Sequence, residues 1–286
     1  MIMSTIDSEL SAGERFRFGE NWAEFLAHLN DERIAEAEKS LKEKLGLESL
    51  AGLTFLDVGC GSGLFSLAAR RLGAAVHSFD FDPASAGCAM ELRKRFFDGD
   101  ANWKIEPVSR SILDDDFVAG LGSFDIVYSW GVLHHTGNMS KALDNASRLA
   151  RERGLLFISI YNTNRNTGKW KKIKRFYNKS PELVKKILGA AYYWYVATRV
   201  ALGDVMSGKD PRKTFRGVGR RGMNIKRDAL DWLGGYPFET ATCDEIFRFY
   251  RDRGFTLVEM NSMGAGSGCN EFVFRKTGTA TAWSSV

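Results

Sequence analysis

The sequence predicts an α/β protein: a doubly wound, Rossmann-like sheet of seven strands, one of them antiparallel, with a helical insertion after the fifth strand. Three observations carry that prediction. From residue 53 onward, short apolar runs alternate with longer amphipathic segments, the pattern of a parallel sheet flanked by helices. The first run leads into a loop with glycines at alternate positions, DVGCGSG (57–63). The last two runs, FTLVEMNSM (255–263) and NEFVFRK (270–276), are joined through GAGSG with no helix between them, which suits antiparallel pairing.

Each element has its own signal. Ile34, Ala37, Leu41 and Leu45 share one helical face after the capping candidates Asn30 and Asp31, so the spacing predicts a helix that covers the sheet. Ahead of it, Phe16, Phe18 and Trp22 read as anchors docking the N-terminus on the core, with closure over a bound cofactor as the alternative. The strands are LTFLDV (53–58), AAVHSF (74–79), WKIEPV (103–108), FDIVYSW (124–130) and LLFISIY (155–161). Between them lie helical segments: LFSLAARRLG, PASAGCAMELRKRFF with Pro83 in its first turn, and NMSKALDNASRLARERG, whose stop signal is Gly154. The chain then divides into an N-terminal helical cover (1–50), a sheet domain in two pieces (51–161 and 242–286), and an insertion (162–241).

Composition narrows the function. With 286 residues, 44% of them hydrophobic, the chain can bury a full core. The net charge of +5 suits an anionic small ligand, a phospholipid surface or RNA, and does not choose among them. That charge is concentrated: between Asn162 and Arg227 eighteen Lys and Arg stand against three acids. The four cysteines, Cys60, Cys88, Cys243 and Cys269, are far apart with no CxxC pair, and read as reduced thiols in a cytoplasmic protein with no metal site. The first residues lack a signal-peptide pattern, and no apolar run reaches the roughly 18 residues that cross a bilayer.

The glycine loop selects among nucleotides. A nicotinamide loop reads GxGxxG; here Gly59, Gly61 and Gly63 make GxGxG, preceded by Asp57. A carboxylate there would repel a pyrophosphate but suits a cationic amino-acid moiety. Asp80, at the end of the second strand and about twenty residues on, stands where a doubly wound fold places the acid that accepts hydrogen bonds from ribose hydroxyls. Both features point to S-adenosylmethionine (SAM), which carries an ammonium, a sulfonium and an adenosine but no phosphate.

With FLDVGCGSG (55–63), VHSFDFDP (76–83), SRSILDDDF (109–117) and FDIVYSWGVLHHTGNM (124–139) in that order, the sequence resembles the class I SAM-dependent methyltransferases, the small-molecule type similar to ubiquinone-biosynthesis methylases. The resemblance implies that Gly59, Gly61 and Gly63 wrap the methionine part, that Asp80 holds the ribose, and that Phe81 and Ile112 sandwich the adenine. Ser111 stands near the place where the family often has an acid for the adenine amino group. Trp130 and Gly131 would line the reactive side.

Methyl transfer needs the acceptor aligned with an activated carbon and, for oxygen acceptors, a base. His134 and His135 follow the fourth strand at the edge where open α/β sheets bind ligands, and are the candidate bases; backbone bracing of their loop is the competing reading. Tyr161 and Asn162 end the fifth strand beside them and are candidates for orienting an acceptor. In the insertion, Arg220, Arg221, Trp232 and Tyr236 are candidate pocket walls, and the whole insertion is a candidate lid. Its lysines 169, 171, 172 and 174 read as a solvated helical face; Trp170, Phe176, Tyr177 and the run AAYYWYV beside them leave a lipid interface or an RNA backbone open. The expected acceptor is a metabolite, a glycan precursor or a prenylated ring. RNA methylation and a non-catalytic SAM-binding protein are the alternatives.

Overall fold

The computed structural model describes residues 15, 16, 26, 29–208, 210 and 225–277. Seven strands lie in the order β3-β2-β1-β4-β5-β7-β6. They are β1 (Thr54–Val58), β2 (Ala75–Phe79), β3 (Trp103–Ile105), β4 (Phe124–Trp130), β5 (Ala150–Tyr161), β6 (Phe255–Asn261) and β7 (Cys269–Lys276). Strands β1 to β5 pair in parallel, and β7 runs against both β5 and β6. The order reverses between β1 and β4, and a doubly wound sheet opens its ligand crevice at the carboxyl ends of the strands at such a switch.

Two apolar layers cover the sheet. On one face α1 (Asp31–Leu45), α2 (Leu64–Arg71) and α3 (Pro83–Phe96) bury Ile34, Leu41, Leu67 and Ala89 against Phe55, Val76 and Phe157. On the other, α4 (Asp115–Leu121), α5 (Met139–Leu149) and α9 (Cys243–Arg251) bury Val118, Leu143 and Tyr250 against Leu56, Val127 and Phe272. Local chemistry sets the helix starts as the sequence suggests: Asn30 caps α1 by accepting from the Arg33 amide, and Asp82 caps α3 ahead of Pro83. Between β5 and α9 lie α6 (Thr167–Lys179), α7 (Glu182–Met206) and α8 (Ile225–Gly234); α8 packs on both of the others.

One expectation is corrected here. Gly154 does not end a helix: α5 stops at Leu149, and Ala150 already pairs with Phe124 as the start of β5, across a bulge in the ladder. Gly154 sits where a Cβ would meet the carbonyl oxygens of Arg151, Asp125 and Phe124 at 2.9–3.0 Å, so strand packing rather than a helix cap selects it. Strand β3 is also shorter than the run WKIEPV: the Glu106 amide still donates to the Ser78 carbonyl of β2, and Pro107 after it has no amide hydrogen to continue the ladder.

Candidate active site at the carboxyl edge of the sheet

The glycine loop joins β1 to α2. Gly59, Gly61 and Gly63 all have positive φ, 75°, 53° and 79°, which L side chains rarely adopt. At Gly63 a Cβ would also fall 2.7 Å from the Ala89 backbone, so this glycine sets how closely α2 approaches α3. The amides of Gly59 and Cys60 donate to the Phe79 carbonyl, tying the loop to the end of β2.

Asp80 completes that tie. Its carboxylate accepts from the Gly61 amide at 2.9 Å and from the Asp82 amide at 2.8 Å. Among the described residues no Lys or Arg pairs with it, and burial pushes its pKa up to about 6 against the pull of those amides. A carboxylate with backbone donors, spare lone pairs and no countercharge fits neutral hydroxyl donors. Phe81 follows it, with the Arg15 guanidinium 4.4 Å above its ring. Ile112 is 4% exposed within the core layer, and its carbonyl accepts from Asn145. Ser111 accepts from the Leu113 amide through its hydroxyl.

Asp57 lies beneath the loop rather than on it. It is buried, accepts from Ser66 Oγ at 2.5 Å, and burial raises its pKa to about 7. Ser66 in turn meets Ser78, which accepts from the Trp103 indole. This buried chain braces β1, α2, β2 and β3. Only Asp57 of its members was singled out from the sequence, because the others are scattered and carry no spacing signal.

Past β4, Trp130 sends its indole N–H to Glu271 on β7 at 2.9 Å, and Gly131 has φ of 75° with open space at its Cβ position. A 3-10 turn, Leu133–His135, then buries both histidines. His135 Nδ1 stands 2.6 Å from the Pro237 carbonyl and must donate to it, which leaves Nε2 as the basic nitrogen; burial, then the positive charges of Lys174 and Arg15, lower its pKa to about 3. His134 Nδ1 faces the Tyr161 amide at 3.4 Å, and burial, with His135 and Lys174 beside it, puts its pKa well below the usual histidine range. Both imidazoles are therefore neutral near pH 7.

Tyr161 is the hub of an aromatic cluster. Its ring centroid is 4.0 Å from His134, 5.3 Å from His135, 5.2 Å from Trp232 and 5.3 Å from Phe238. Inside this cluster lies Lys174, and the solvated-face expectation for it is overturned. The residue is 0% exposed, its Nζ is 4.8 Å from the Trp232 and Phe238 ring centroids and 5.6 Å from that of Tyr161, and it donates to the Trp232 carbonyl. Burial lowers its pKa to about 7, and Asp231 and Cys269 only partly offset that. Lys171 and Lys172, one helical face away, are exposed as expected.

Asn162 is corrected too. Its amide donates to the Gly264 and Gly266 carbonyls at 2.8 and 2.9 Å and accepts from Asn270 at 3.1 Å, so it clasps the glycine-rich turn between β6 and β7 and has no donor left for an acceptor. Tyr236 meets the N-terminal segment through its carbonyl, which accepts from the Phe16 amide. Arg15 bridges the two halves of the site, donating to the His135 carbonyl while stacking on Phe81. Phe16 lies against Gly234 and Tyr236 of the insertion and belongs to neither apolar layer of the sheet, where docking on the core was expected; Phe18, Trp22, Arg220 and Arg221 lie outside the described residues. Among the described residues no three His, Cys, Asp or Glu side chains gather to hold a metal ion.

Comparison with known proteins gives the family. Residues 22–217 match the family model described as a methyltransferase domain. Curated relatives include the ubiquinone biosynthesis O-methyltransferases of Methylobacterium sp. (strain 4-46), 31% identical over 137 residues, 48% of this chain and 51% of that protein, and of Xanthomonas oryzae pv. oryzae (strain PXO99A), 33% identical over 113 residues, 40% of this chain and 45% of that protein. The chain spans about half the length of the curated relatives it matches. Among solved structures, magnesium protoporphyrin IX methyltransferase from Synechocystis PCC 6803 with bound SAM has a TM-score of 0.49 at 13% identity, covering 85% of this chain and 79% of that one.

Proposed function

The chain belongs to the methyltransferase-domain family, and on that premise we propose that it moves the methyl group of SAM to a hydroxyl of a small molecule. The observation that carries this reading is the bond from the Gly61 amide to Asp80, which joins the glycine cradle to a carboxylate without a countercharge. In the proposal Asp80 holds the ribose hydroxyls, Gly59, Gly61 and Gly63 admit the methionine part, and Phe81 and Ile112 flank the adenine. When bound, SAM supplies a methyl carbon already activated by its sulfonium. The protein's share is then to align the acceptor and accept its proton. Oxygen as the accepting atom is supported by the name O-methyltransferase that the curated relatives bear. Tyr161 and Trp232, aromatic and partly exposed at the sheet edge, suit an acceptor with a ring.

Titration calorimetry with SAM, S-adenosylhomocysteine and NAD, followed by methyl-labelled SAM added with fractionated cell extract, tests the reading. Expected are binding of the first two ligands, none of NAD, and label in the aqueous or organic small-molecule fraction that is lost with Asp80→Ala. Label in nuclease-sensitive precipitate would move the acceptor class to RNA.

A second reading concerns where the acceptor comes from. Leu183, Ile187, Trp194, Leu202 and Val205 on α7 are 61–70% exposed, and Lys171, Lys172 and Lys179 on α6 and Lys186 on α7 are exposed too. An apolar helical face with basic neighbours favours an anionic lipid surface that carries the acceptor over an RNA backbone. Among the described residues no helix is long and apolar enough to cross a membrane. The expected outcome is flotation with phosphatidylglycerol vesicles, weak with phosphatidylcholine, and lost in Ile187→Asp.

A further inference from the structure

We propose that Lys174 is the general base that takes the proton from the acceptor hydroxyl. This rests on the methyl-transfer reading above and assigns its proton acceptor to a residue that nothing in the glycine-loop chemistry requires.

The geometry singles out this lysine. Lysine is almost never fully buried unless paired, yet Lys174 makes no ion pair with any described carboxylate and sits instead against three aromatic rings and one carbonyl. The elements packed around it present Tyr161 from β5, His134 and His135 from the turn after β4, Asp231 from α8 and Cys269 from β7. Of these Asp231 is the one carboxylate, it acts on Lys174 through its charge, and it forms no ion pair with it. A permanently charged ammonium gains little there beyond the ring faces and the Trp232 carbonyl. A neutral amine suits the box better: one N–H for the Trp232 carbonyl and a lone pair left to accept.

The histidines fit that task less well. His135 has its Nδ1 proton committed to Pro237 and a conjugate acid too strong to hold a proton near neutrality; His134 is fully buried beside His135 and Lys174, which makes its conjugate acid far stronger than an ordinary imidazolium as well. Proton transfer is most effective when the base's affinity lies near the working pH, and within the aromatic cluster that would meet the acceptor Lys174 satisfies that condition, at about 7. Tyr161 and Trp232 keep part of their surface open, which is the side from which an acceptor reaches the box. In the step, the O–H proton passes to the lone pair of Nζ, and an oxygen pair forms the new O–CH3 bond. The S–CH3 bond breaks with its electrons left on sulfur, giving S-adenosylhomocysteine. Nζ, now an ammonium held by the Trp232 carbonyl and the rings, returns its proton to water.

The test uses the full chain, methyl-labelled SAM and the small-molecule fraction of a cell extract, with Lys174→Met and Lys174→Arg compared with wild type from pH 6 to 8.5. Expected are a wild-type rate that rises through a midpoint near pH 7, losses of about 100-fold or more in both variants, and residual rates without that step. Their SAM affinity by calorimetry should stay within threefold of wild type. An arginine variant that keeps a third of the rate overturns the proposal in favour of simple charge binding, and a methionine variant that keeps it overturns any proton role. If the variants do not fold, the wild-type profile at saturating SAM decides, since groups that act only through cofactor binding then drop out: a flat rate across pH 6 to 8.5 overturns the base, a rise through a midpoint near 7 supports it. Failure of the methyl-transfer reading shows separately, as wild type that binds no SAM or binds it and labels nothing; the base proposal then falls with it.

Discussion

Asp80 works at the scale of single hydrogen bonds. It holds the glycine loop through the Gly61 amide, and in the proposed complex it also receives ribose hydroxyls, so Asp80→Asn removes charge from one group serving two partners. Hydrogen bonds to a charged group contribute about 1.5–3 kcal/mol, and the expected result is SAM binding weakened by roughly 10- to 100-fold, read by calorimetry. An unchanged affinity would remove Asp80 from the cofactor site. Gly63→Ala meets two penalties, a positive φ at about 1–2 kcal/mol and a Cβ 2.7 Å from the Ala89 backbone. The melting temperature should fall by several degrees; an unaltered melt would mean that α2 and α3 can separate freely. These residues were readable from the sequence because their chemistry is local: three glycines and two acids at fixed spacing. Lys174 was not, since KKIKR reads as a solvated face until Trp232 and Phe238, some sixty residues later, come to enclose one of its lysines.

At the scale of elements, the turn between β6 and β7 depends on a clasp supplied by another strand. Asn162 at the end of β5 donates to two of its carbonyls, and Asn270 links Asn162 to the Met263 amide. Truncation by Asn162→Ala leaves these groups to find water, at a cost of about 1–3 kcal/mol. Hydrogen exchange at Met263 and Asn270 should quicken while exchange in β1 and β4 stays slow; uniform quickening would refute a local role. A doubly wound sheet of seven strands with one antiparallel was legible because alternating apolar runs and the helix-free C-terminal pair leave few topologies open. The role of Asn162 was not, because an asparagine that ends a strand carries the same sequence signal whether it faces a ligand or a neighbouring turn. Gly154 illustrates the same limit: a glycine after a helical pattern reads as a stop, and only the three carbonyls around it reveal the strand.

The burial of Lys174 is felt by the whole molecule. The unfolded lysine titrates near 10.5 and the native one near 7, so between those values the unfolded chain binds more protons and stability rises with pH, at up to about 1.4 kcal/mol per unit. Below pH 7 the slope from this group vanishes. Urea denaturation from pH 7 to 8, below the range where the buried thiols and tyrosines titrate, should show the rise in wild type and not in Lys174→Met. Equal slopes would mean that Lys174 is solvated in the folded protein. Net charge and composition gave no hint of this, because an average over 286 residues hides one cation placed inside.

The last consequence belongs to the single bridge between Asn162 and Ala241, where the Ala241 amide also donates to the Tyr161 carbonyl. Some eighty residues leave the sheet and return to it within one residue pair, so their exit and entry are already closed without them. Closing a loop costs free energy that grows only slowly with its length, and a cassette spliced at such a point can be exchanged, lengthened or lost while the seven strands keep their order. A chain with 163–235 replaced by a glycine-serine linker, which keeps Pro237 and Glu239 on the turn after β4, is expected to fold and to retain cofactor binding while losing acceptor turnover. That would make acceptor choice a property that can change by substitution of one contiguous gene segment, with the cofactor half left untouched.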